Sequence, residues 1–268
     1  MTSGGERPSV SAPQGCSQPT RRVNRGSGHT YFLDDAIADG VTTIIGQGVP
    51  KPALVGWAAN ETAGYAVDHW DELAELTPSK RLKQLQGARF ETLKSATVRG
   101  TTVHKLAVAA GEGEIEVPDE LVGHVDSYLQ FIKDWQPDEL LVEVPVFNRQ
   151  RRYAGTLDML ARLADNQRWL LDWKTTASGI YPEAALQLAA YAHAEFYLGP
   201  DGRELPMPPI DAGGCVWLRA DGYDLIPVDI SNDTFRVFLY AQQVARFTSE
   251  PREAYVGEAL RPPEEAAA

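Results

Sequence analysis

Three residues near the middle of this chain have the types and spacing to handle a phosphate ester: Asp158, Asp172 and Lys174. Asp158 lies in the run Tyr153-Ala154-Gly155-Thr156-Leu157-Asp158-Met159-Leu160, where polar and apolar residues alternate loosely. Asp172 and Lys174 lie in Arg168-Trp169-Leu170-Leu171-Asp172-Trp173-Lys174, an apolar and aromatic run of strand character. Asp165-Asn166 between the runs is turn chemistry, so the stretch predicts a β-hairpin. With the turn centred on Asp165, Asp158 and Asp172 stand seven residues to either side and become cross-strand neighbours, about 5 Å apart at Cβ. Strand side chains alternate, so Asp172 and Lys174 share a face and Trp173 points to the other. Two carboxylates and an ammonium on one sheet face repel or lose hydration unless something compensates. A divalent cation is the usual compensation, and a lysine beside it can orient a water and stabilise charge on a phosphate. Taken alone, such a triplet is far more often a solvated strand face carrying an ordinary salt bridge, so the case depends on what surrounds it.

The elements that must position these residues can be read along the chain. Residues 1–28 are rich in Ser, Gly, Pro and Arg and read as a disordered tail, with order beginning near His29. Residues 29–136 read as a helical N-terminal part. It begins with a short β-like piece at Val41-Thr42-Thr43-Ile44-Ile45 and continues as a helix from Pro52 to Asp68, packed through Ala53, Leu54, Trp57, Ala58, Thr62 and Tyr65. A helix capped by Thr77-Pro78 follows, with a break expected at Gly87, then a helix over 99–110 and another over 118–135. Residues 137–250 read as the core. A strand over 140–148 carries Leu141, Glu143 and Pro145 on one face and Val142, Val144 and Val146 on the other, and leads into the hairpin. Pro182 then opens a helix running to Gly199, a long polar loop follows, two strands meet at Asp221-Gly222, and a last helix spans 234–248. Residues 251–268 read as a charged tail. The pattern predicts an α/β fold, a mixed central sheet with helices on both faces and a crossover through the helix after the hairpin.

Composition narrows the function classes. With 268 residues and 43% apolar content the chain can bury a sizeable core, and no apolar run is long enough to span a membrane. Two cysteines, Cys16 and Cys215, are too few for a disulfide framework and fit a reducing cytoplasm, with Cys215 read as a small core residue. A net charge of −12 argues against non-specific coating of nucleic acid but leaves room for a local basic groove. Arg149, Arg151 and Arg152, and Lys80, Arg81 and Lys83, are either such grooves or solvated faces.

Other residues converge on the acidic hairpin. Gln187 and Tyr191 are four apart and share a helix face that can overlook it; both can hydrogen-bond phosphate, and both also suit a partly buried amphipathic helix. Gly155 allows a close approach or marks a bulge. Glu143 on the neighbouring strand is an additional carboxylate or a charge at the sheet edge. His104 lies among small and apolar residues, where a histidine is more often a satisfied core residue than a ligand.

Gly155-Thr156-Leu157-Asp158, Asp172-Trp173-Lys174-Thr175 and Gln187-Leu188-Ala189-Ala190-Tyr191 together resemble the signature of RecB-like nucleases of the PD-(D/E)xK superfamily. Arg99-Gly100-Thr101-Thr102-Val103-His104 is similar to the histidine motif of that branch, and residues 51–70 resemble the lead-in of bacteriophage RecB-like exonucleases. The resemblance spans roughly residues 40–245 and implies a restriction-endonuclease-like core. It implies a metal-dependent DNA exonuclease of phage or bacterial recombination or repair, using Mg²⁺ or Mn²⁺. His104, Asp158, Asp172 and the Trp173 carbonyl would bind metal, Lys174 would be the catalytic lysine, and Gln187 with Tyr191 would contact DNA. Some relatives hold an iron–sulfur cluster on four cysteines; two cysteines cannot supply that ligation, so no cluster is expected. DNA is the expected partner, with a recombination protein a further candidate and no membrane. The rival functions are a structure-specific endonuclease and an inactive DNA-binding scaffold of the same fold.

Overall fold

The computed structural model describes residues 19–26, 28–90, 102 and 117–260. Its described strands join in one ten-stranded mixed sheet. The chain opens with a meander, β1 (Arg21–Arg25), β2 (Gly28–Leu33) and β3 (Ala36–Gly40), followed by α1 (Val41–Gly48), α2 (Pro52–Asp68) and α3 (Trp70–Ala74). A further helix, α4, runs over 78–90. Then come α5 (Asp119–Trp135), β4 (Asp138–Asn148), β5 (Tyr153–Arg162), β6 (Arg168–Lys174), α6 (Glu183–Ala192), β7 (Phe196–Leu198), β8 (Glu204–Pro206), β9 (Ala212–Arg219), β10 (Gly222–Val228) and α7 (Asn232–Ser249).

The α/β class, the antiparallel β4–β5–β6 meander and the parallel β6–β9 pairing through α6 match the sequence pattern. So does the placement of helices on both faces. Leu141, Val146, Leu157, Leu160, Leu170 and Leu188 pack with α1, α6 and α7 on one side. Met159, Ala161, Leu171, Val216 and Phe131 pack under α5 on the other.

Several boundaries differ, each for a tertiary reason. Residues 21–25, expected in the tail, form β1, an arginine-bearing edge strand paired antiparallel with β2. The N-terminal part is therefore helical only after a three-stranded start. The β-branched run at 41–45 is helix, not strand: α1 lies so close to α7 that a Cβ on Gly48 would meet the Ala241 carbonyl oxygen, and this packing overrides propensity. The helix after the hairpin stops at Ala192 instead of Gly199, because Phe196 and Tyr197 leave it to pair with Phe147 and Val146 of β4. The expected polar loop contains β8, paired with β7. α2 has the expected bounds but no buried residue; its Tyr65 hydroxyl instead accepts from Gln84 of α4, which runs unbroken through Gly87 to residue 90. Among the described residues, no helix is long and apolar enough to cross a membrane.

Candidate metal and phosphate site

The hairpin register places the two acids. β5 and β6 pair from Arg162↔Arg168 to Met159↔Leu171, symmetric about Asp165. The turn between them is set by Asn166 at φ 69 and by Asp165, which accepts from the Gln167 amide at 3.0 Å and the Trp169 indole at 2.9 Å. The next opposed positions are Asp158 and Asp172, and there the ladder stops. β4 covers one edge of β5 along its length, so β3 and β6 share the other. β3 holds Tyr153 and Ala154, β6 holds Met159 onward, and residues 155–158 lie between them with no strand partner on that edge among the described residues. This fork in the sheet is the site.

Opposite the fork, β4 is also distorted. Glu143, across from Asp158 in the β4–β5 register, has φ 52, a left-handed conformation rare for a non-glycine residue inside a strand. The strict alternation expected for β4 breaks here. Leu141 and Val144, three apart, pack on the same side, and so do Leu157 and Leu160 opposite them. The two strands thus change phase together, leaving Asp158 and Glu143 at the kink.

The charges are held tightly. Asp172 is 3% exposed. Its Oδ1 accepts from Gln187 Nε2 at 2.8 Å, and its Oδ2 lies 2.5 Å from Lys174 Nζ, an ion pair outside hydrogen-bonding alignment. Gln187 Oε1 reaches back to Lys174 Nζ at 3.4 Å, so one amide joins acid and lysine. Half-buried Asp158 accepts from the Trp173 backbone N–H through Oδ2 at 3.0 Å. Burial, and then the charge of Asp172, push the Asp158 carboxyl up to about 7 against the pull of that hydrogen bond. Burial works against the Lys174 charge, but Asp172 and Asp158 outweigh it, and its pKa lies above the ordinary lysine value. Burial followed by Asp172 likewise raises the Cys215 thiol to about 12, which leaves it an inert core residue.

The expected faces are met in β6: Asp172 and Lys174 turn toward α6, and Trp173 turns away onto Tyr128 and Phe131 of α5. Gln187 reaches the site as its helical position suggested. Tyr191 shares its face but is 2% exposed, with its ring in the space a Gly155 side chain would need: a Cβ there would stand 2.3 Å from Tyr191 Cε1. The glycine serves this tyrosine, and the DNA contact expected of Tyr191 has no exposed ring to make it. Its hydroxyl instead meets Gln187 at 3.4 Å, and burial, then the two aspartates, hold its pKa well above the usual value. His104 lies outside the described residues, as does the helix expected over 99–110 apart from Thr102, which is helical.

Sequence reasoning missed Tyr31. This buried residue of β2 crosses to the fork and shares a 2.8 Å hydrogen bond with Thr156 Oγ1. No local spacing links positions 31 and 156; only the β3–β5 pairing brings them together. A cavity of about 220 Å³ opens from Lys174 and Gln187 toward Thr42, Lys51 and Glu183, the last two an ion pair at 3.6 Å.

Three of the clustered arginines serve the fold. Arg149 pairs with Asp34 at 3.0 Å and Glu204 at 2.7 Å, and Arg152 donates to the Leu33 carbonyl. Arg81 donates to the carbonyls of Leu73, Ala74 and Leu76 at the end of α3.

Among the described residues, no group of three or more His, Cys, Asp and Glu side chains is gathered to hold a metal ion. The donors present suit a hard divalent cation in kind. Asp158 and Asp172 carry oxygen donors, and a cation would relieve both the burial and, after it, the repulsion by Asp172 that raise the Asp158 pKa.

No family model and no curated protein matches the chain. Among solved structures it is similar to "Crystal structure of SSO0001" at 12% identity, covering 79% of this chain and 76% of that one. The TM-score of 0.33 is too low for that likeness to carry any argument.

Proposed function

We propose that this protein is a divalent-metal-dependent deoxyribonuclease, an exonuclease acting in the cytoplasm in recombination or repair. On this reading the β4–β5–β6 meander with its crossover to β9 is a restriction-endonuclease-like core of the RecB-like kind. The observation that carries it is the opposition of half-buried Asp158 and buried Asp172 at the fork, with Lys174 held on the same face as Asp172. A sheet that needed only stability would not keep two mutually repelling acids where its ladder ends.

Asp158 and Asp172 would hold Mg²⁺ or Mn²⁺, with the Trp173 carbonyl and His104 as the further ligands the resemblance implies. When bound, the cation polarises a phosphoryl oxygen and lowers the pKa of a coordinated water. The chain's own residues do the rest. Lys174, charged at neutral pH, faces the attacked phosphate, orients a water and offsets the developing negative charge. Gln187 fixes the separation of Asp172 and Lys174, and Tyr191 backs Gln187 from the core. The cavity beyond Lys174 and Gln187 gives the strand being cut room beside the lysine. Glu143, at the kink, lies near enough to Asp158 to raise its pKa, and it is the candidate for an additional carboxylate.

The test is digestion of end-labelled linear DNA and covalently closed circles with Mg²⁺, with Mn²⁺ and with EDTA. Degradation of linear DNA alone, abolished by EDTA, is expected. Cleavage that persists in EDTA would sink the metal mechanism, and equal attack on closed circles would make the enzyme an endonuclease.

A further inference from the structure

α7 is apolar on two sides. Its inner side packs Phe235, Phe238, Ala241 and Ala245 against the sheet and α1. Its outer side carries a second stripe: Val237, Tyr240, Val244 and Phe247, exposed by 51, 68, 47 and 57%. Tyr255, just past the helix, lies against Phe247 with ring centroids 4.6 Å apart and continues the patch together with half-exposed Val256. A helix with apolar residues all round is ordinarily buried all round, and a contiguous exposed stripe of this size marks an interaction surface.

The stripe's spacing indicates what covers it. Its residues are separated by three, four and three positions, the a/d seam by which one helix packs along another of its own kind. The flanking charges indicate the direction. Arg236 borders the stripe near its start, ion-paired at 2.6 Å with exposed Asp233 of its own helix, and Glu250 and Glu253, with Arg252 between them, follow its end. A parallel pairing of two copies would set Arg236 against Arg236 and glutamate against glutamate. An antiparallel pairing centred between Tyr240 and Val244 brings Arg236 within a turn of Glu250 of the second copy and opposes the helix dipoles. We infer that α7 is a homodimerisation helix whose outer stripe pairs antiparallel with the same stripe of a second copy, Tyr240 against Val244 and Val237 against Phe247. This two-fold contact is self-complementary and closed. It involves neither acid nor lysine of the fork.

Sedimentation of the full chain from about 1 µM to about 100 µM should give a mass rising toward twice the 29.4 kDa chain. A mass that stays at one chain throughout overturns the proposal. Tyr240→Glu with Val244→Glu should raise the dissociation constant about a hundredfold or more, with thermal unfolding of the dilute protein unchanged because both side chains are exposed. Unchanged self-association of that variant would also overturn it. Register is read by cross-linking in a Cys16→Ser background, where the remaining native thiol, Cys215, is buried. Under oxidation, Tyr240→Cys chains mixed with Val244→Cys chains should give the mixed disulfide. Each variant bonding only to itself would contradict the antiparallel arrangement.

Discussion

β4 and β5 carry two charged clusters, and the contrast between them separates structural charge from functional charge. At the β4–β5 turn, Arg149 meets Asp34 and Glu204, opposite in sign and half exposed, with its guanidinium over the Phe196 ring at 4.7 Å. There too one cation serves two carboxylates, but all three side chains stand open to water, which screens the excess charge. A few residues along the same strands, Asp158 faces Asp172 where the ladder ends, and the single ammonium of Lys174 serves both acids. The first cluster would be built by any sheet edge needing solubility and a fixed corner. The second opposes folding, and the backbone is distorted at Glu143 beside it.

If that distinction is correct, substitutions in the two clusters should have opposite consequences. The largest effect is expected from Lys174→Ala, which should lower the rate of DNA cleavage by about a hundredfold to a thousandfold while the protein stays folded. Near-normal turnover would reduce Lys174 to a salt-bridge partner. Gln187→Ala should cost about tenfold to a hundredfold in activity or metal affinity, the range for a group that orients a ligand. Because Gln187 touches Asp172 and Lys174, Gln187→Glu should not rescue it: a third carboxylate replaces the amide donor. Rescue by glutamate would contradict the positioning role.

A third substitution should make the metal-free protein stronger. The Asp158 carboxyl is raised to about 7 in the fold from an ordinary 3.8. Below about pH 4 it is protonated in both the folded and unfolded chain. As the pH rises through 7, the folded chain must ionise it beside Asp172, and that contribution to stability is lost. Asp158→Asn, which can still accept from the Trp173 amide, should therefore be more stable than wild type in EDTA at about pH 8, on the order of 2 kcal/mol, with the gap shrinking below about pH 7 and closing by about pH 4. Melting curves at the two pH values check this; a gap independent of pH would detach it from ionisation. The smallest effect belongs to the other cluster. Arg149→Ala should change stability by about 1 kcal/mol or less and leave cleavage unchanged, as measured by urea unfolding beside the nuclease assay.

The hairpin was legible because its information is local. Asp165-Asn166 sets the turn, and the turn fixes which residues oppose each other, so the Asp158–Asp172 pairing could be read before any coordinates. The crossover was legible for a similar reason: a helix of adequate length separates β6 from β9. What was hidden depended on distant partners. Val41–Ile45 reads as strand until α7 lies against Gly48, and Phe196–Leu198 reads as the end of a helix until β4 offers an open edge. The left-handed turn at Glu143 leaves no trace in a Val-rich run, so the phase change in β4 could not be foreseen. Spacing gave Tyr191 its helix face but not what that face meets, which is the bare backbone of Gly155. Tyr31 had no local signal at all.

The claim beneath all of these is that the opposed acids of the fork are retained for a cation. Calorimetric titration of Mn²⁺ into wild type, Asp158→Asn and Asp172→Asn at neutral pH tests it without relying on cleavage. The account predicts binding to wild type, with proton release because Asp158 must ionise, and at least about a tenfold loss of affinity in each variant. Equal Mn²⁺ affinity in all three proteins, or none in wild type, would contradict it.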